Sequence, residues 1–283
     1  MILPPGTPVL RTSVRSASVR SRPPLPSTLV PTPRPAESPP AAISVSGLGK
    51  RFGTGPLVLD DINVTIEAGQ FVCLLGASGC GKSTLLNIIA GLDKPTEGTV
   101  TVASGKAAVM FQDAALFPWL TAGRNVELAL KLRGVPRAAR RPAARELLDL
   151  VNLADAADKR PHELSGGMRQ RVALARSLAQ DRRVLLMDEP FAALDAITRD
   201  LLHEELERVW KQTGRTIVFV THNVREAARL GQRILLMSSR PGRVVNEWTI
   251  TDTGSRRIES PEVARLGDEI TDQLRQEIRR NAA

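Results

Sequence analysis

Apolar positions along this chain change their period several times. Ile43–Val45, Leu57–Leu59 and Ile62–Ile66 are brief apolar or alternating stretches separated by Gly and Asp, which predicts three short strands. Phe71–Leu75 is a continuous apolar run, as expected of a buried strand, and it leads straight into Gly76. A helix is predicted from Lys82 to about Ala90, with further β segments at Gly98–Val102 and Val109–Phe111. Between Asp113 and Leu164 the spacing becomes helical, as in Val126, Leu128, Ala129 and Leu132, then Leu147, Leu148 and Val151. Strand patterns return at Val184–Met187, Ile217–Val220 and Ile234–Met237, alternating with helices over Met168–Leu178, Asp200–Gln212 and Val224–Leu230. Such alternation implies a parallel sheet with helices on both faces. A mostly helical insertion over 113–164 therefore interrupts an α/β core. Pro261 to Arg280 reads as an amphipathic helix with Val263, Leu266, Ile270, Leu274 and Ile278 on one side.

Residues 1–42 follow no such period. They hold 11 of the 20 prolines, among Ser, Thr and Arg, a composition that buries no core and favours extended, solvated backbone. Pro4, Pro5 and Pro8 interrupt the only candidate for the apolar region of a secretion signal. The Arg and Ser content with little acid has something of an organelle transit peptide, but a disordered tail, or a start codon assigned too early, is the plainer reading. The expected organisation is thus a tail over 1–42, a globular domain over 43–250 and a helical extension over 251–283.

Composition narrows the classes. At 283 residues and 42% apolar content, one or two globular domains are expected. The net charge of +9 suits either nucleic acid or an anionic membrane surface. With 3% aromatic residues and no Tyr, stacking on bases is not the expected mode. Cys73 lies in a strand pattern and Cys80 in a glycine loop, so both read as reduced thiols of a cytosolic protein. No run approaches the 18 or more apolar residues of a membrane span.

The chemistry is carried by three separated segments. Gly76-Ala77-Ser78-Gly79-Cys80-Gly81-Lys82-Ser83-Thr84 fits the phosphate-loop pattern, in its required context of strand before and helix after. Its backbone N–H groups and the helix N-terminus form an anion cradle for a nucleoside triphosphate. Lys82 would reach the β- and γ-phosphates and Ser83 would ligate Mg²⁺. A chance match in a Gly-rich turn is the bland alternative. Asp188 ends the strand Val184–Met187, where a carboxylate faces the ligand crevice of such a sheet and can hold Mg²⁺. Glu189 beside it is the candidate to polarise an attacking water. An acidic pair that merely caps a helix is the alternative there. Leu164-Ser165-Gly166-Gly167-Met168 opens a helix with Ser165 as N-cap, a second place where an anion is welcome, or a simple cap.

The order of these segments resembles the ATP-binding cassette (ABC) ATPases over residues 43–245. The resemblance implies a phosphate-loop nucleoside triphosphatase core with an N-terminal antiparallel β subdomain and the inserted helical subdomain. It implies ATP and Mg²⁺ as ligands, and a head-to-tail dimer of this chain or of this chain with a paralogue. Each ATP would lie between the phosphate loop of one subunit and Ser165, Gly166 and Gly167 of the other. The family usually has Gln where this chain has Met168, so nothing resting on that amide carries over. Gln112 matches the glutamine that senses γ-phosphate and Mg²⁺. Ala193-Leu194-Asp195 resembles the loop that communicates across the dimer. His222 matches the histidine that contacts γ-phosphate and supports Glu189, although a lone His at a strand end is commonly a surface residue. Phe52 resembles the aromatic that stacks on adenine, against the alternative of a core Phe.

A single cassette without fused membrane helices suits an importer with a separate integral-membrane permease and, indirectly, an extracytoplasmic solute-binding protein. That implies a peripheral position on the cytoplasmic side of the cell membrane and no nucleic-acid partner. Leu116-Phe117-Pro118-Trp119-Leu120, apolar and bulky, is the candidate permease docking segment through Leu116, Phe117 and Trp119. The alternative is that Phe117 and Trp119 pack inside the insertion. The local patterns at Pro190–Arg199 and Ser239–Arg243 resemble cassettes of the nitrate, sulfonate and taurine import family, with aliphatic sulfonates favoured, then taurine, then nitrate. A non-transport ABC ATPase with a regulatory or assembly role is the alternative of another class.

Overall fold

The computed structural model describes residues 40–250 and 260–282. The expected tail lies outside the described residues, except for its last three positions. Strand β1 (Ala41–Arg51) begins inside them, because Ala42 and Ile43 are already buried against β2 (Leu57–Glu67). The two short strands expected at 57–59 and 62–66 are one strand, β2. Asp60-Asp61 reads as a turn signal, but Asp61 takes φ 47° and absorbs one extra residue as a bulge. Leu48 pairs Ile62 while Lys50 pairs Leu59, so both sides keep their buried positions across that bulge.

The main sheet is built around β3 (Phe71–Gly76), β6 (Val184–Asp188), β7 (Thr216–Thr221) and β8 (Arg233–Met237). With β5 (Ala108–Met110) and the antiparallel edge strand β9 (Val244–Thr249), the order is β5-β6-β7-β3-β8-β9. All neighbours except β8 and β9 are parallel. A second sheet, ordered β2-β1-β4 with β4 at Glu97–Val102, is antiparallel throughout.

Successive side chains of the central strands go to opposite faces, and each face has its own core. Phe71, Cys73 and Leu75 pack with α4 (Gly166–Ala179) and α5 (Ala196–Thr213). Val72 and Leu74 pack with α1 (Lys82–Ile89) and the antiparallel sheet. The insertion carries α2 (Ala122–Leu132) and α3 (Arg137–Leu150), whose apolar stripe of Val126, Leu130, Ala144 and Leu148 joins the first core. After α6 (Val224–Leu230), the last helix, α7 (Pro261–Ala282), buries Val263 and Ile270 fully and Leu266 and Leu274 in part, while Ile278 is exposed. No helix among the described residues is long and apolar enough to cross a membrane.

Candidate functional site

Parallel pairing brings three distant segments to one edge. The register sets Leu75 beside Thr221 and Asp188 beside Val220 in adjacent strands. The C-terminal ends of β3, β6 and β7 therefore release Gly76, Glu189 and His222 side by side, where ligands of open α/β sheets bind.

The phosphate loop turns through Gly79 and Gly81. Gly81, the N-cap of α1, stands at φ 99°, and a Cβ there would lie 2.6 Å from Leu59 Cδ2. Only glycine meets both demands. Lys82 is buried and donates from Nζ to the carbonyls of Gly76 and Ala77, at 2.9 Å each, so its ammonium is held inside the loop. Cys80 is buried beneath it, and burial raises its thiol above the ordinary range despite the nearby Lys82 ammonium. Ser78, Gly79 and Ser83 remain at the surface, with Thr84 half-buried.

Ser83 stands beside the Asp188 carboxylate. Desolvation pushes Asp188 above the usual carboxylate range, the Ser83 hydroxyl opposes this, Glu189 raises it further and Lys82 lowers it. A half-buried carboxylate beside a hydroxyl is a small set of hard oxygen donors. That set fits Mg²⁺, which takes one or two protein oxygens and completes its shell with phosphate and water.

Glu189 has the left-handed φ of 44° and donates its N–H to Val220 O at 3.0 Å. Its carboxylate Oε2 lies 3.0 Å from Nδ1 of the exposed His222. Non-glycine residues in this conformation cost about 1–3 kcal/mol and cluster at functional sites. Here the turn aims the carboxylate of Glu189 at His222. Gln112 lies two residues beyond the end of β5, exposed, with its carbonyl held by Gln170 Nε2 of α4 at 2.8 Å.

Ser165 caps α4 by accepting from Met168 N at 3.2 Å, and it and Gly166 reach the surface. Gly167 is buried instead. A Cβ there would lie 2.5 Å from Thr198 Cγ2, so its missing side chain lets α4 and α5 touch. Asp195 caps α5 by accepting from Thr198 N at 3.0 Å, and that bond holds its carboxyl below the ordinary range. Phe52 is 54% exposed, not a core residue, with Lys50 Nζ 4.6 Å from its ring centre.

Phe117 and Trp119 are 37% and 69% exposed, with ring centres 5.5 Å apart, while Leu116 packs in part against the core. One residue that sequence reasoning missed shapes this loop. Asn125 of α2, fully buried, accepts from Phe117 N at 2.8 Å and donates to the carbonyls of Phe117, Leu120 and Thr121. Its only sequence signal is a polar residue set within the apolar stripe of Ala122, Val126 and Ala129.

A phosphate loop, a hydroxyl–carboxylate pair and a Glu–His pair on one sheet edge define a phosphate-loop nucleoside triphosphatase. A family model described as ABC transporter matches residues 59–192. The nitrate import ATP-binding protein NrtD of Synechocystis is 46% identical over 244 residues, 81% of this chain and 91% of that one. The taurine import ATP-binding protein TauB of Rhizobium johnstonii is 45% identical over 236 residues, 78% and 90% of the two chains. The solved dimeric structure of MJ0796, described as a bacterial ABC transporter cassette, superimposes with a TM-score of 0.65 at 35% identity, covering 74% of this chain and 99% of that one. The chain belongs to the ABC transporter family and is an ATP-binding cassette of it.

Proposed function

We propose that this chain is the ATP-hydrolysing subunit of a membrane importer for a small anion. The observation that carries the hydrolytic part is the Glu189–His222 contact of 3.0 Å beside the Ser83–Asp188 pair. Backbone N–H groups of Gly76–Thr84 and the Lys82 ammonium hold the phosphates of ATP. Ser83 and Asp188, with Gln112, would hold Mg²⁺, which neutralises phosphate charge when bound. Glu189 accepts a proton from the attacking water. His222 orients that carboxylate through Nδ1 and meets the γ-phosphate with its other nitrogen. Phe52 stacks on the adenine, as its exposure allows. Ser165 and Gly166, at the open start of α4, close on the ATP of a second cassette with Asp195 beside them; the dimeric cassette MJ0796 supports this reading. Gly167 joins that contact through its backbone and also lets α4 lie close to α5.

Import is supported by relatives named for nitrate and taurine import. The reading places the cassette peripherally on the cytoplasmic side, against permease subunits that a solute-binding protein feeds. Docking is supported by the exposed Phe117–Trp119 pair and by the groove of about 320 Å³ that Phe117 lines with Leu128 and Leu132. Trp119→Ala should lower transport by at least about tenfold while ATP binding and basal hydrolysis stay within about twofold, the loss expected of a buried aromatic anchor. Full coupling in a stable variant would remove the docking assignment.

Aliphatic sulfonates are the favoured cargo, then taurine, supported by the relative of that name at 45% identity, then nitrate, supported by the relative of that name at 46% identity. Growth of a deletion strain on an alkanesulfonate, on taurine or on sulfate as sole sulfur source tests this. Failure on the alkanesulfonate alone, rescued by the wild type and not by Lys82→Ala, is the expected result. Failure on taurine alone would establish the taurine reading in its place, and normal growth on all three, with failure on nitrate as sole nitrogen source, the nitrate reading.

A further inference from the structure

Glu226 lies directly behind the Glu189–His222 pair. It stands in the first turn of α6 and is 5% exposed. One oxygen, Oε2, accepts from the Thr221 hydroxyl at 2.6 Å. The same Thr221 oxygen accepts from Asn223 N at 2.9 Å. A single hydroxyl thus pins the residues on both sides of His222, and Glu226 holds that hydroxyl.

The other oxygen, Oε1, faces α5. Arg199 Nε lies 3.5 Å from it. The same guanidinium donates to Phe191 O at 3.3 Å and to Leu194 O at 2.7 Å, spanning the turn between Glu189 and Asp195. His203, fully buried, sets Nε2 3.5 Å from Oε1 and Nδ1 3.6 Å from Asp200, but neither nitrogen attains hydrogen-bond geometry, so these contacts are electrostatic. Arg229 pairs with Asp200 and Glu204 on the outer side. Burial raises the Glu226 carboxyl, and His203, Thr221 and Arg199 more than reverse this, holding it ionised below its ordinary range. Between Glu189, His222, Arg199 and Glu226 lies a cavity of about 30 Å³, enough to admit a water.

Two loops therefore meet at one carboxylate. The loop after β6 carries Glu189 at its start and Asp195 at its end, and the loop after β7 carries His222. They touch at 3.0 Å through Glu189 and His222, and they are joined again through Arg199, Glu226 and Thr221. We propose that Glu226 is a positioning residue for ATP hydrolysis, which ties these two loops together and so holds Glu189 and His222 in register with Asp195. It acts through Thr221 and Arg199 rather than on the reacting atoms. A movement of Asp195 on contact with a second cassette would pass through Arg199 and Glu226 to Thr221 and His222, so that hydrolysis answers to dimer closure. This inference rests on the catalytic assignment of Glu189 and His222.

The test is steady-state ATP hydrolysis by the full chain carrying Glu226→Gln, beside wild type and Glu189→Gln. The amide keeps the shape and an acceptor for Thr221 but removes the charge facing Arg199 and His203. The expected result is a kcat lower by about tenfold or more with KM for ATP within about twofold, at a temperature well below the melting transition. A kcat within twofold of wild type in folded protein would overturn the inference. So would a loss that disappears on cooling, since that marks a merely structural part. Should Glu226→Gln not fold, Arg199→Lys decides. Lysine keeps the charge but cannot reach both carbonyls, and the same split is expected, whereas wild-type kcat would overturn the idea. Wild-type turnover in Glu189→Gln would instead sink the catalytic assignment beneath it, so the two failures are distinct.

Discussion

Glu189→Gln is expected to bind ATP with nearly wild-type affinity and to hydrolyse it about 10²–10⁴-fold more slowly. The exchange is isosteric. It preserves the strained turn at φ 44°, the N–H bond to Val220 and a polar atom next to His222. What it removes is the only group at this position able to accept a proton from water. Lys82, Ser83 and Asp188 are untouched, so the sites proposed for the phosphates and Mg²⁺ should be unchanged. Because ATP stays intact, two cassettes that close on it should remain closed, and a stable dimer should accumulate with ATP but not with ADP. Phosphate release gives the rate, and light scattering after size exclusion gives the dimer. Turnover at the wild-type rate would remove Glu189 from the mechanism.

Gly167→Ala should cost about 1–3 kcal/mol of stability, the range for forcing one methyl into a packed contact. Its Cβ would lie 2.5 Å from Thr198 Cγ2, well inside van der Waals contact. For a chain of this size the melting temperature should fall by roughly 2–4 °C per kcal/mol. Activity should fall further than stability, because the start of α4, with Ser165 and Gly166, is what the clash displaces. Thr198→Ser in the same chain removes the offending methyl while keeping the backbone N–H that Asp195 accepts. The double variant should therefore regain most of the lost melting temperature and turnover. A double variant no better than Gly167→Ala would show that the buried glycine serves something other than the α4–α5 contact. Were Gly167 solely a ligand-facing residue, Thr198→Ser would rescue nothing.

The parts of this site that could be read along the chain share one property: their chemistry is local. A phosphate loop is a strand, a turn and a helix start, all within Phe71–Ile89, and its residue types suffice to announce it. The carboxylates at Asp188 and Glu189 were visible because an apolar run ends on them. Where local signals mislead, tertiary packing has prevailed. Asp60-Asp61 looks like a turn, yet pairing with β1 on both sides carries the strand through it as a bulge. Gly167 reads as part of an anion-binding helix start, and only the fold adds a second demand on it, since a Cβ there would meet Thr198 of another helix. Asn125 gives little signal of its own, because a lone Asn in a helix has no meaning until the loop it holds is folded over it.

Residue order alone determined that this is an α/β phosphate-loop ATPase with a helical insertion, because periodicity and motif spacing are properties of consecutive residues. It also singled out Lys82, Ser83, Asp188, Glu189 and His222. Only the tertiary structure decided which of them touch. Glu189 and His222 are 33 residues apart and meet because β6 and β7 pair in parallel with Asp188 opposite Val220. The same pairing brings Glu226 and Arg199 behind them, and Thr198 against Gly167 follows from how two helices pack on that sheet. Such contacts depend on register and on side-chain volume across elements, and neither quantity is written in the spacing of any one segment.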